Sequence, residues 1–301
     1  MKNILIRADS SSKIGLGHIM RDLVLAKQYK DDNIFFASQN LQGNANAKIL
    51  NAGHHLKVLK SNDIKELIVV ILELKIDLLI IDHYKIDYKD EREIKNKTAV
   101  KILSFDDMYK RHEVDIVLNH NICAQKSRYK NLLPKSCELR CGKKYTLLRD
   151  EFYKEKKKSK KDVAIKRGVL LAMGGTDHSN VNIKILKALE KFPTLPINII
   201  TSSSNKNLDN LRNYLNKHKN ITLHIDSNKI AKLMRKSSFA ILSPSVTANE
   251  AYFMKLPIIA IKTASNQDDM YRFLKKNNYA TLKKFDKKLL QLSVEEMLCK
   301  I

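Results

Sequence analysis

The strongest constraint in this sequence is a strand–loop–helix rhythm that runs through the chain twice, on either side of a break without apolar residues. Strands are expected at Lys2–Arg7, Asn33–Ser38, the continuous apolar run Leu78–Ile81, and the mostly apolar Val100–Phe105 and Val114–Leu118. Segments with helical spacing fall between them at Ile19–Tyr29 and Ile64–Leu74. Largely apolar strands alternating with helices indicate parallel sheets covered on both faces. The stretch Lys154–Lys161 has no apolar residue. After it the rhythm resumes, with strands at Gly168–Met173, Ile197–Thr201, Ile221–Ile225, Phe239–Ser243 and Ile258–Ile261. Helices are expected at Asn182–Phe192, Leu208–His218, Ile230–Arg235, Thr247–Met254, Asp268–Lys276 and Phe285–Leu298. The expected fold is α/β: two doubly wound parallel-sheet domains facing an interdomain cleft, at residues 1–155 and 167–301, joined by a basic linker at 156–166. Ligands of such sheets bind outside the carboxyl ends of the strands, so those loops are where chemistry is sought.

Length agrees, since 301 residues exceed what one ordinary core fills. No apolar run approaches the roughly 18 residues of a membrane helix, and the N-terminal apolar stretch is too short for a signal peptide. A cytoplasmic protein without membrane attachment is expected. The four cysteines do not make a disulfide framework, and Cys137 and Cys141 lack the spacing of a metal hook. The net charge of +24 raises nucleic-acid binding. Yet only 11 of the 56 basic residues are Arg, the Lys residues are scattered, and no nucleic-acid motif appears. Solvated helix faces are the preferred reading, with no nucleic-acid partner.

Four strand-end loops carry ligand-type residues. The first, Asp9–His18, holds Gly15 and Gly17 two apart, and His18 at the start of a helix. Glycines permit close backbone approach to a ligand, and a helix start favours the neutral imidazole that can accept a proton. The same residues fit a plain turn with an incidental histidine. The second, Met173–Asp177, places Gly174, Gly175 and Thr176 where amides and a helix start would surround a phosphate. The third, Ser243–Ala251, offers Ser245 or Thr247 as a helix cap and Glu250 as a carboxylate for paired hydroxyls. The fourth is Ser265–Asp268. Asp9 and Asp82 fit an orienting role for His18, sugar binding or helix capping, and Arg149 fits substrate binding or a structural lock. His83 and His120 read as structural.

Together these motifs resemble a known family. The half Gly168–Ile301 is similar to the donor domain of UDP-sugar glycosyltransferases with two Rossmann-like domains, the glycosyltransferase-B type that adds N-acetylglucosamine to the lipid II precursor. Across the whole chain, Arg7–Ser11 with Gly15–His18 and Arg21–Leu23, Ile80–Tyr84, Ile102–Asp107, Leu148–Phe152, Met173–Asp177, Thr201–Asn205, Ile230–Met234 and Asn249–Ala251 resemble the hydrolases of UDP-2,4-diacetamido-2,4,6-trideoxy-β-L-altropyranose in pseudaminic acid biosynthesis. Leu16 departs from that pattern, where an aromatic is expected, as does Pro244.

The resemblance implies cleavage of the anomeric C–O bond to give UDP and the free diacetamido sugar, with inversion. It implies His18 as the base, and Tyr84 and Asn266 positioning water or sugar. It places Asp9, Gly17, Arg149 and Gln267 around the substrate. Gly174, Gly175, Thr176, Ser245, Thr247, Ala248 and Asn249 would lie around the diphosphate, Glu250 on the ribose, and the backbone near Ile225 and Ile230 at the uracil. A nucleoside diphosphate is a good leaving group, so no metal and no cofactor are expected, and one chain suffices as a monomer. The alternative is a glycosyltransferase of the same fold using a UDP-amino sugar donor.

Overall fold

The computed structural model describes residues 1–158, 168–177 and 179–300. Two compact units divide the chain, Met1–Leu147 and Leu148–Ile301.

The first unit is built from β1 (Asn3–Ala8), α1 (Gly17–Ala26), β2 (Asn33–Gln39), α2 (Asn46–Asn51), β3 (His55–Leu59), α3 (Ile64–Glu73), β4 (Leu78–Asp82), α4 (Tyr88–Thr98), β5 (Lys101–Phe105), β6 (Ile116–Asn119) and β7 (Glu138–Cys141). Its seven strands pair in parallel in the order β3-β2-β1-β4-β5-β6-β7. From β1 the chain builds outward one way through β2 and β3. It then returns to the other side of β1 with β4. The central strands are apolar because both faces are covered: every residue of β4 is buried, against helices such as α3, whose Leu67, Ile68, Val70 and Ile71 face inward.

Two edge strands and a polar helix do not announce themselves in the sequence. β3 and β7 carry His, Lys, Glu and Arg, as sheet edges do. In α4 the buried residues are Ile94 and Glu91. Charge ties this helix down: Glu91, fully buried, accepts from His112 Nδ1 at 2.7 Å and from the Glu113 amide at 2.7 Å. A capping box at Asp87 and Asp90 sets its start.

The second unit comprises α5 (Asp150–Lys157), β8 (Val169–Ala172), α6 (Asn182–Leu189), β9 (Ile197–Thr201), α7 (Leu208–Leu215), β10 (Ile221–Ile225), α8 (Ile230–Lys236), β11 (Phe239–Leu242), α9 (Val246–Phe253), β12 (Ile258–Ile261), α10 (Asp268–Lys276), β13 (Ala280–Leu282) and α11 (Lys287–Cys299). Its six-stranded sheet is again all parallel, in the order β10-β9-β8-β11-β12-β13. Strands β8, β11 and β12 are wholly buried.

The units divide earlier than the charge break suggests. Residues 148–155, expected in the first domain, belong to the second. Glu155 of α5 binds Arg235 of α8 at 2.6 Å, and Glu151 accepts from the Ala231 amide at 3.3 Å. Polar contacts made by a short lysine-rich helix leave no apolar signature. Beyond Lys158, the linker expected at 156–166 lies outside the described residues.

The His112 site makes stability depend on pH. Burial opposes its charge, but Asp106 and Glu91 outweigh burial and raise the imidazole to about 9. The folded value lies above the unfolded one, so this contribution is full below about pH 6.5 and disappears as pH rises through about 9. Urea unfolding of the wild type should lose stability over that window, on the order of 3 kcal/mol at most. The loss should be absent in His112→Gln.

Candidate active site

In the first unit the chain switches sides of the sheet between β1 and β4, the place where ligands of doubly wound sheets bind. The register sets Ala8 beside Asp82, so both strands deliver polar residues to one spot. After β1 the loop is tightened by Ser11. Its hydroxyl accepts from the Lys13 and Ile14 amides at 3.2 and 3.0 Å, and its carbonyl from the Gly15 amide at 2.8 Å. Gly15 has φ +87°, which explains the glycine there. A side-chain carbon at Gly15 or Gly17 would meet nothing within 4 Å, so the backbone ahead of His18 borders open space. Helix α1 then begins at Gly17 with His18 in its first turn.

Asp82 is the hub of this site. It is 2% exposed and accepts His18 Nδ1 at 2.8 Å and Arg21 Nε at 2.6 Å. A second bond comes from the Arg21 guanidinium. Burial works against its charge, but Arg21 and then His18 hold the carboxyl far below the usual range. Nδ1 lies 2.8 Å from the Asp82 carboxylate and 3.1 Å from the Arg21 Nη2 donor; the shorter contact, to an ionised acceptor, favours the tautomer with its proton on Nδ1 and Nε2 open as a base. The His18 ring meets the Tyr84 ring edge-on at 5.1 Å. Tyr84 donates to Asp107 at 2.9 Å, and burial together with that carboxylate pushes its phenol well up, so it stays a neutral donor. Arg21 also lies over the Phe105 ring, 4.8 Å from its centroid.

Asp9 departs from its expected role at the substrate. Its oxygens receive both Arg7 nitrogens at 2.8 and 2.9 Å, the Gln39 amide at 2.7 Å and His83 Nε2 at 3.1 Å. All four lone-pair sites are filled and the residue is 2% exposed, so Asp9 braces the loop. His120 is buried, and His83 is half-buried with its Nε2 against Asp9.

The second unit changes sides of its sheet between β8 and β11. Gly174, Gly175 and Thr176 follow β8. Gly174 has φ +96° with open space where a side chain would begin. The neighbouring helix start is not open, however. Asp177 accepts the Val181 amide at 3.0 Å and the Asn182 amide at 3.3 Å, which caps α6. A phosphate on this loop is therefore left with the Gly174–Thr176 backbone.

After β11, the capping expected from Ser245 or Thr247 is not made. Ser245 occupies the cap position without a side-chain cap bond, turning instead toward the Ser243 hydroxyl at 3.2 Å, and Thr247 lies inside the helix. The start of α9 thus has no side-chain cap and no acidic residue in its first turn, leaving it suited to an anion. Ser245 and Thr247 are half-buried, while Ala248 and Asn249 are fully buried. Glu250 is 8% exposed and accepts from Arg149 at 3.0 Å; burial raises its carboxyl pKa and Arg149 opposes the rise.

At the end of β12, Gln267 turns onto its own loop, accepting the Thr263 amide at 2.8 Å and the Ala264 amide at 3.3 Å. Its amide nitrogen also donates to the Thr263 hydroxyl at 3.2 Å, so the side chain is engaged within its own loop. Asn266 is exposed. Ile225 and Ile230, both half-buried, flank the turn between β10 and α8.

Sequence reasoning left the role of Asp82 open and gave Arg21 and Asp107 none. The spacing of Arg21 three residues after His18 on one helix face was the available signal.

Two parallel doubly wound units of this kind define the glycosyltransferase-B class. Solved structures agree on the fold. MurG of Acinetobacter baumannii superposes with a TM-score of 0.66 at 12% identity, covering 99% of this chain and 91% of that one. UDP-GlcNAc 2-epimerase of Neisseria meningitidis gives 0.65 at 12% identity, over 98% and 91%. No protein-family model matches. Among curated proteins, the UDP-2,4-diacetamido-2,4,6-trideoxy-β-L-altropyranose hydrolase of Campylobacter jejuni is 46% identical over 276 residues, 92% of this chain and 97% of that protein. An uncharacterized protein of Methanocaldococcus jannaschii is 30% identical over 91% of this chain and 58% of its own length. SpsG, a spore coat polysaccharide biosynthesis protein of Bacillus subtilis, is 23% identical over 87% of this chain and 78% of its own. The chain belongs to the family of UDP-2,4-diacetamido-2,4,6-trideoxy-β-L-altropyranose hydrolases.

The two helix starts of the second unit should respond differently to mutation. Asp177→Ala should cost about 1–2 kcal/mol in chemical unfolding because it removes the α6 cap. Ser245→Ala should stay within about 0.5 kcal/mol, since that hydroxyl caps nothing.

Proposed function

We propose that the chain hydrolyses UDP-2,4-diacetamido-2,4,6-trideoxy-β-L-altropyranose to UDP and the free sugar, a step of pseudaminic acid biosynthesis. The observation that carries this reading is the His18–Asp82 pair, a base with a favoured tautomer set beside an open glycine backbone. The family relationship supplies the substrate.

Water loses a proton to His18 Nε2 as its oxygen bonds to the anomeric carbon. The bond from that carbon to the diphosphate oxygen breaks, and its electron pair leaves with UDP. One direct displacement inverts the anomeric carbon, as in inverting glycosidases. The leaving group needs its growing negative charge stabilised more than it needs a proton. The uncapped start of α9, the half-buried Ser245 and Thr247, and the Gly174–Thr176 backbone suit that task. Ala248 and Asn249 act only through backbone, being fully buried.

Tyr84 and Asn266 serve to position water or sugar, and Gly17 gives the sugar room. Glu250, held by Arg149, takes the ribose hydroxyls, and the backbone at Ile225 and Ile230 takes the uracil. No metal is assigned a part. The reading makes the chain a cytoplasmic monomer with neither membrane nor nucleic-acid partner. Among the described residues, no helix is long and apolar enough to cross a membrane.

The test is incubation with the purified UDP-sugar in labelled water, followed by NMR. The label should appear on the sugar carbon; label in the UDP phosphate would overturn C–O cleavage. His18→Ala should lower turnover at least about 10²-fold while UDP still binds by calorimetry. Full activity in that variant would remove His18 from its role.

A further inference from the structure

Asp22 lies on α1 four residues beyond His18 and one beyond Arg21. It is 0% exposed, and neither carboxylate oxygen meets a donor. A buried carboxylate in that state carries an uncompensated desolvation cost of several kcal/mol. Its neighbour within hydrogen-bond reach is another acid, Asp82. Two acids cannot hydrogen-bond unless one of them holds a proton.

The Asp82 carboxylate has room for such a donor. Oδ1 accepts His18 Nδ1 and Arg21 Nη2, and Oδ2 accepts Arg21 Nε. Two oxygens offer about four acceptor sites, so Oδ2 keeps one. We propose that Asp22 is a neutral carboxylic acid that donates its proton to Asp82, making it a positioning residue for the base. This deepens the hydrolase reading and rests on His18 being the base.

The surrounding charges assign the proton to Asp22 rather than Asp82. Arg21 and His18 both donate to Asp82 and favour its ionised form. Burial, and then the Asp82 charge, push Asp22 well above the usual carboxylate range, with Arg21 opposing. The other groups around the cluster do not change this. Tyr84 is a neutral phenol, Asp107 adds negative charge near Arg21, and burial with Arg21 beside it pushes His120 down to about 3, so it is uncharged. A third donor on Asp82 restrains its rotation and hence the aim of the imidazole. A second buried negative charge would instead favour the imidazolium, which cannot accept a proton.

Infrared spectroscopy of the ligand-free protein with isotope-labelled aspartate reads the proton directly. A protonated carboxyl band should be present at neutral pH and vanish in Asp22→Asn. Absence of the band in the wild type overturns the proposal. This measurement does not need turnover, so it separates failure here from failure of the hydrolase reading.

Kinetics provide the second arm. Asp22→Asn keeps a neutral donor, so kcat should stay within about threefold and the pH profile of kcat/KM should overlay the wild type. A displacement of that profile by about one unit or more would mean that Asp22 is charged. Asp22→Leu should lower kcat about tenfold or more with KM nearly unchanged. Wild-type kcat in Asp22→Leu would overturn the positioning role. Should that variant fail to fold, the band and the Asp22→Asn profile decide.

Discussion

Everything at the candidate base depends on β1 pairing in parallel with both β2 and β4. That pairing places the chain's reversal of direction in the middle of the sheet, so two strands end side by side with no connection filling the gap above them. The Ala8–Asp82 register then decides which residues share the gap. A one-residue slip would turn every side chain of the strand to the opposite face and remove Asp82 from His18. The apolar runs of β1 and β4, buried throughout, are what resist such a slip. Thus the core specifies the site, although it supplies none of its polar atoms.

Much of the architecture was legible because buried parallel strands are written as unbroken apolar runs. Ile197–Thr201, Ile221–Ile225 and Ile258–Ile261 were read with the bounds the structure gives them. Several of the elements that escaped share a lack of apolar pattern. β3 and β7 are edge strands with one side open, and α4 and α5 are secured by Glu91, Glu151 and Glu155. An ion pair between distant segments leaves no periodic trace. The unit boundary was misplaced for that reason: the lysines of α5 read as linker, while its glutamates hold it to α8.

The site was legible at a coarser grain. Residue type and strand-end position singled out His18, the Gly174–Thr176 turn and the Ser245–Glu250 segment. They could not say which carboxylate does what. Asp9 directly follows β1 and Asp82 ends β4 of the same sheet, and both look like ligand residues. The difference is in their partners. Arg7 sends its guanidinium from β1 itself onto Asp9, which saturates that carboxylate. Arg21 approaches Asp82 from α1 and bonds both its oxygens, with Oδ1 shared with His18. A sequence shows two arginines and two aspartates; only the fold says how they pair. Asp177 makes the same point, since only the fold shows that this residue of the glycine turn receives the first amides of α6.

The two units follow opposite electrostatic designs from one topology. In the first, the switch point is crowded with ionisable groups, and burial makes their mutual charges matter. There Arg21 and His18 hold the Asp82 carboxylate ionised against its burial. In the second, the switch point is lined by backbone, hydroxyls and an uncapped helix start, and its buried carboxylates are engaged, Asp177 by the α6 amides and Glu250 by Arg149. Fixed dipoles do not titrate, so they stabilise a phosphate equally across a wide pH range. Proton transfer and anion binding place conflicting demands on local charge. On the proposed reading, the first unit takes the proton transfer and the second the anion, each on the same strand–helix unit.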